Sequence, residues 1–312
     1  MRTESVESRP DRSLLRLSGV SAGYGPSVVI REVNLGIRCG EIYVLLGPNA
    51  AGKSSLLRVL TGKLAPRTGK ILNADGREVG PNVELVPQET ALYPFMTARE
   101  NCIALAMMAG LARDLAGRRA TDVLKSIGCS EISDTRVDRL SGGFRRRVDI
   151  AVSLMKSPAM LALDEPSAGL DAVGREALIG LLMQLRATGT GSIVVTHDFE
   201  FGEAIADRIG LLVGGRLIVD APLDEAVEHA FASEKFVEVD LAAQPDPAQR
   251  RSLESSGLAQ SSGNLWTMHT RVETNLVDRL GALLKELRLT EREIRIRSPS
   301  LRDVYRKHVP GT

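Results

Sequence analysis

Between an apolar run, Glu41 to Leu46, and a stretch of helical composition, Ser55 to Thr61, the chain carries Gly47-Pro48-Asn49-Ala50-Ala51-Gly52-Lys53-Ser54. The segment fits the pattern G-x-x-x-x-G-K-[ST], which works only where a buried strand hands over to a helix N-terminus, so it constrains the fold more than any other feature of the sequence. Glycines let the main chain approach phosphate oxygens, free N–H groups at the helix start point outward, and the helix dipole favours negative charge. Lys53 can reach the β and γ phosphates of a nucleotide, and the Ser54 hydroxyl can ligate Mg²⁺. Residues Gly47 through Ser54, with Ser55 directly after them, form the candidate phosphate-binding set.

The surrounding pattern predicts an α/β domain. Val33 to Ile37 and Glu41 to Leu46 read as strands around a turn at Cys39-Gly40. Met160 to Leu163 and Gly191 to Val195 read as strands separated by the helical stretch Val173 to Ala187, the rhythm of a parallel sheet. Residues 90–157 are rich in helix formers and predict an inserted helical subdomain. This first domain spans 14–223, after a frayed polar tail over 1–13. A helical linker over 224–235 leads to a smaller domain over 236–312. Its order of strand (Phe236 to Leu241), helix, hairpin turning at Ser262-Gly263-Asn264, helix, strand (Glu293 to Ile296) and last helix predicts an α+β sandwich of ferredoxin-like type.

The apolar run Met160 to Leu163 ends at Asp164-Glu165, as a buried strand does when it delivers two carboxylates to a sheet edge. Behind a phosphate loop the first acid can hold Mg²⁺, while the second can orient and deprotonate a water in line with the γ phosphate. Leu140-Ser141-Gly142-Gly143, lying between the loop and the acidic pair, resembles the signature of the ATP-binding cassette (ABC) ATPases. Other elements of that family follow in order over Leu14 to Leu223. Tyr24 matches the aromatic residue that stacks on adenine, Gln88 resembles the glutamine that joins the Mg²⁺ site, Ser167 to Asp171 resembles the D-loop, and His197 looks like the switch histidine. The resemblance implies a P-loop NTPase of ABC type that binds ATP with Mg²⁺. Glu165, His197 and Lys53 would be catalytic. Ser54, Gln88 and Asp164 would hold the metal, and Tyr24, Asp171 and the Ser141, Gly142 and Gly143 N–H groups would contact nucleotide. It further implies a head-to-tail, nucleotide-dependent dimer in which the signature of one subunit faces ATP on the other.

The sequence departs from the family pattern at Ala50, where glycine is usual, and at Phe144, where glutamine is usual. Arg145-Arg146-Arg147 reads as a solvated helix face, the alternative being contact with nucleotide or a partner. Tyr93 and Phe95, just after Gln88, read as part of a groove for a helix of the membrane partner or as local packing. Ser298 to Tyr305 resembles a terminal motif of drug and polysaccharide efflux ATPases and also reads as a capped helix. The expectation is therefore an exporter motor working through a separate permease, with an importer motor or a soluble ATPase as alternatives.

Composition limits the partners. A net charge of +1 with interleaved signs gives no electrostatic case for nucleic acid. Cys39, Cys102 and Cys129 lack the pairing or spacing of a disulfide framework or zinc site, so a reducing cytoplasm is expected. No apolar stretch is long enough to span a membrane, which places the chain peripherally on the inner face of the cell membrane through its permease.

Overall fold

The computed structural model describes residues 13–73, 76–77, 82–232, 234–271 and 275–309. The chain divides after Leu223 into two compact units. Of the expected tail, residues 1–12 lie outside the described residues, whereas Ser13 opens the first strand.

The first unit holds two sheets. The three-stranded one orders β2 (Ser27–Arg38), β1 (Ser13–Tyr24) and β4 (Thr68–Asn73), all antiparallel. The other orders β5 (Val83–Val86), β6 (Met160–Asp164), β7 (Gly191–Val195), β3 (Ile42–Leu46), β8 (Arg208–Val213) and β9 (Arg216–Pro222). Its neighbours are parallel except for β9, which returns antiparallel at the edge. Every residue of β3 and β7 is buried, which is why β3 reads as an unbroken apolar run and β7 carries a single polar side chain, Ser192. Leu56, Leu57 and Leu60 of α1 (Lys53–Leu60) share one core with Leu15, Leu17 and Ile30 of the antiparallel sheet and with Leu45 and Ile193 of the parallel one.

Residues 90–157 hold α2 (Ala98–Met108), α3 (Arg113–Ser126), a short 3₁₀ turn (Val137–Arg139) and α4 (Gly142–Leu154). An isolated bridge, Thr97 with Arg136, is the β pairing recorded among them. Thr97 and Glu100 form a capping box that starts α2, satisfying two of the N–H groups a helix start leaves free. α5 (Ala172–Ala187) and α6 (Phe199–Ile205) then connect β6, β7 and β8.

The second unit begins with α7 (Leu223–Phe231). The segment expected as a linker is thus a helix of this unit, held by an edge-on contact of Phe231 with Phe236, ring centroids 5.3 Å apart. There follow β10 (Lys235–Leu241), α8 (Pro247–Ser255), β11 (Ala259–Ser262), β12 (Leu265–Thr270), α9 (Leu276–Glu286), β13 (Glu291–Arg297) and α10 (Leu301–His308). The sheet order β11-β12-β10-β13, antiparallel throughout, is that of a ferredoxin-like split βαβ fold. Val237, Val239, Trp266, Leu253 and Leu284 pack into its own core.

Candidate functional site

Because β6, β7 and β3 are adjacent and parallel, the loops that follow them open at one edge of the sheet. The loop after β3 is the candidate phosphate loop. Gly52 stands before α1 with φ of 105°, and a Cβ there would lie 2.8 Å from the Ile30 Cδ1. Only glycine meets both demands. Ala50 adopts φ of 62°, the left-handed region in which the family's usual glycine is at ease and alanine is strained. Lys53 folds back along the loop, its Nζ donating to the carbonyls of Gly47 at 2.7 Å and Pro48 at 3.0 Å. Burial holds its pKa below the usual lysine value, while the nearby carboxylates of Glu165 and Asp164 pull the other way. Tyr24, at the end of β1, keeps its ring half exposed, and its hydroxyl accepts from Arg58 on α1 at 2.9 Å. Burial raises the Tyr24 pKa, but hydrogen bonds with Ser55 and Arg58 bring it below the ordinary value.

After β6, Asp164 closes the strand and Glu165 turns with φ of 46°, also left-handed. The Glu165 amide donates to the Val195 carbonyl of β7 at 2.9 Å. Its Oε2 accepts from the His197 amide at 3.2 Å and lies 2.9 Å from His197 Nδ1. The Glu165 carboxylate is mostly buried, whereas the His197 ring is 78% exposed. A carboxylate held at the sheet edge thus meets an exposed imidazole.

The remaining candidates lie on other segments. Gln88 is exposed just beyond β5. Ser141 caps α4 by accepting from the Phe144 amide at 3.4 Å, so Gly142 and Gly143 lie in its first turn. Asp171 caps α5, accepting from the Gly174 amide at 2.7 Å. Among the described residues Ser141, Gly142 and Gly143 make no hydrogen bond to residues 47–55.

Residues 30–168 match the family described as ABC transporter. The linearmycin resistance ATP-binding protein LnrL of Bacillus subtilis is 34% identical over 66% of this chain and 68% of that protein. The chain is an ABC transporter ATP-binding subunit. The cassette is also 30% identical to the lantibiotic transport ATP-binding protein SrtF of Streptococcus pyogenes, over 72% of this chain and 99% of that one. The aliphatic sulfonates import ATP-binding protein SsuB 1 of Rhizobium johnstonii is 34% identical over 69% of this chain and 79% of that one. Among solved structures, cbiO1 from Clostridium perfringens superposes with a TM-score of 0.62 at 26% identity, covering 68% of this chain and 89% of that chain. A dimeric post-hydrolysis ATP-binding cassette with ADP and Pi gives 0.58 at 25% identity, covering 67% and 98%. As a member of this family the cassette binds and hydrolyses ATP.

One part of the cassette overturns its sequence reading. The basic run on α4 is not wholly a solvated face: Arg145 is exposed, but Arg146 is buried. Its guanidinium donates to the carbonyls of Pro87 at 2.6 Å, Asp164 at 2.9 Å and Pro166 at 3.2 Å, and pairs with the buried Asp149 at 3.5 Å. Burial lowers the Arg146 pKa and pushes the Asp149 carboxyl up to about 6, against the pull of Arg146 and of the Ala91 amide, which donates to it. Arg146 shares one buried helix face with Asp149 and Ser153, three and seven residues on. The aromatics after Gln88 are exposed as expected, Phe95 lying under the Arg136 guanidinium at 5.1 Å. The nearby groove of about 570 Å³ is lined instead by Met96, Ile103, Met107, Glu100 and Arg118 on and beside α2 and α3.

Proposed function

We propose that the cassette couples ATP hydrolysis to export of a substrate through a separate membrane permease. The 2.9 Å contact of Glu165 with His197, on the sheet edge that also carries Lys53, is the observation that carries the hydrolytic part. Glu165 would accept the proton of the attacking water, His197 would hold that carboxylate and sense the γ phosphate, and Lys53 would swing from its own carbonyls to the β and γ oxygens. Tyr24 would stack on the adenine through its exposed face. Ser54, Gln88 and Asp164 present only hard oxygen donors, too few to cage an ion alone. Such a set suits Mg²⁺ that keeps phosphate oxygens and waters as its other ligands. With Mg²⁺ bound, the charge that develops on the phosphoryl oxygens is neutralised.

The N–H groups of Ser141, Gly142 and Gly143 serve no phosphate of their own subunit in this reading. They would face ATP held by a second cassette, closing a head-to-tail dimer over the nucleotides. The groove on α2 and α3, lined by apolar and charged side chains, would receive a helix of the permease and hold the cassette at the membrane. Among the described residues no helix is long and apolar enough to cross a membrane. Export is supported by relatives named for linearmycin resistance and Nod factor export, and by the resemblance of Ser298 to Tyr305 to efflux ATPases. Import is the second reading, because sulfonate and taurine import proteins are similar at 34% identity.

The hydrolytic mechanism is tested with Glu165→Gln, which keeps shape but removes the base. Hydrolysis should fall by roughly 10²–10⁴-fold while ATP binding persists. Size-exclusion chromatography with ATP and Mg²⁺ should then show a long-lived dimer, and adding Ser141→Arg should abolish it. Wild-type turnover in Glu165→Gln, or a dimer that survives Ser141→Arg, would reject the composite site. Direction is tested in cells: loss of the chain should sensitise an exporter's host to a toxic amphiphile, whereas an importer's host would instead need a supplemented nutrient.

A further inference from the structure

Arg146 stands at the junction of three functional segments and reaches them through main-chain carbonyls, that of the candidate metal ligand Asp164 among them. Two of the carbonyls it binds, those of Asp164 and Pro166, bracket Glu165. The third, that of Pro87, immediately precedes Gln88. Asp149, one helical turn along α4, takes the Ala91 amide and so holds the same loop on its far side. Glu165 itself has φ of 46°, a conformation that a residue with a Cβ keeps only when its surroundings over-determine it. Main-chain anchors on both of its flanks, added to its amide bond to Val195, supply that restraint.

We propose that Arg146, braced by Asp149, is a positioning residue that locks the Glu165 turn and the Gln88 loop to the signature helix, so that the base and the loop are set together. The role rests on the reading of Glu165 as the general base. A planar fork with fixed donor directions is what reaching three divergent carbonyls demands, and the single ammonium of a lysine does not reproduce it. A buried ion pair adds little net stability over an apolar pair of the same volume, so a stability role alone gives no reason for this one. Because Ser141 caps α4 and Gly142 and Gly143 lie in its first turn, movement of the Gln88 loop would be transmitted to the signature through the same guanidinium.

The full chain with Arg146→Lys tests this. We expect kcat to fall at least tenfold, with the affinity for a fluorescent ATP analogue within about threefold of wild type and one nucleotide still bound per chain. In a background of Glu165→Gln the same substitution should lower the residual rate by less than about twofold, because its effect passes through Glu165. Amide hydrogen exchange should speed up together over residues 87–91 and 164–168 while β3 and α1 keep their protection. Arg146→Met, which fills the volume without donors, should behave like Arg146→Lys in all three measurements. Wild-type kcat in Arg146→Lys, a loss that merely tracks the fraction of chains binding nucleotide, or losses that multiply with Glu165→Gln would each overturn the proposal. Should the wild-type chain bind ATP without hydrolysing it, the ATPase reading falls. The exchange pattern then still decides on Arg146: coordinated loss of protection in those two segments upholds it, and unchanged exchange rejects it.

Discussion

Lys53 donates to two carbonyls of its own loop, an arrangement that keeps a half-buried ammonium hydrogen-bonded within the candidate phosphate loop. Lys53→Ala removes the cation that this loop offers to the β and γ phosphates, so tight ATP binding should be lost in calorimetry while the fold persists. Ala50 is a quieter case. At φ of 62° its Cβ is strained, and relief of that strain outweighs the extra unfolded-chain entropy of glycine. Ala50→Gly should therefore raise stability by about 0.5–1 kcal/mol in urea denaturation. A measured loss would mean that the loop does not hold the left-handed conformation.

At the scale of one element, α10 shows how a short helix is fastened. Asp303, in its first turn, accepts from Arg297 through both carboxylate oxygens, at 2.6 and 3.1 Å, and from the Ser300 amide and hydroxyl at 2.8 Å each. Arg297 also binds Glu238 of β10 at 2.7 Å and lies over the Phe236 ring at 4.6 Å. Burial alone would raise the Asp303 pKa, but Arg297 and Ser300 hold it below the ordinary 3.8. A carboxyl depressed in the folded state adds stability above its unfolded pKa, and that stability is lost as pH falls through the folded value. The contribution is thus whole at neutral pH and fades below about pH 3.8. Asp303→Asn should cost roughly 2 kcal/mol at pH 7 and progressively less as pH is lowered below 3.8, as read from urea melts across that range.

Across the whole molecule, each unit has a core of its own, and the one tryptophan, Trp266, belongs to the second. In the first unit Arg208 ties the sheets together, donating to the Gly36 carbonyl of β2 at 3.0 Å, to Glu41 at 3.0 Å and to Asp220 of β9, with its guanidinium over Tyr43 at 4.9 Å. Arg208→Ala leaves the buried Glu41 carboxylate with only the exposed Arg38 guanidinium, 4.0 Å away, as counter-charge, a loss of about 2–4 kcal/mol. Far-UV dichroism, which sees both units, should show a lower first transition. Trp266 fluorescence, which sees the second unit, should not move. A shift of equal size in both signals would show that the units unfold as one.

The phosphate loop, the acidic pair, the signature and the succession of strands and helices were legible in the residues themselves. Each depends on local chemistry: a Gly-Lys-Ser run at a helix start, an apolar run ending in carboxylates, a serine cap, and periods of 2 or 3.6. The ferredoxin-like unit was equally legible, because its strands alternate and its hairpin turns on Ser262-Gly263-Asn264. Strands β1, β4, β5, β8 and β9 were not singled out. β4 is exposed over half its length and β5 is only 4 residues long, so neither shows a clean period. What the residues could not reveal is which long-range neighbours a side chain meets. Arg146 has the same composition and helix as Arg145, yet one is solvated and the other binds the carbonyls of Pro87, Asp164 and Pro166. Glycine-like strain at Ala50 and Glu165, and the meeting of Glu165 with His197 across two strands, likewise arise only when β6, β7 and β3 align in one sheet. The sequence determines which chemistry each segment can offer, because that depends on side chains and local period. The tertiary structure decides which offers meet, because contact between segments distant in sequence depends on strand order and packing, for which no single segment carries a signal.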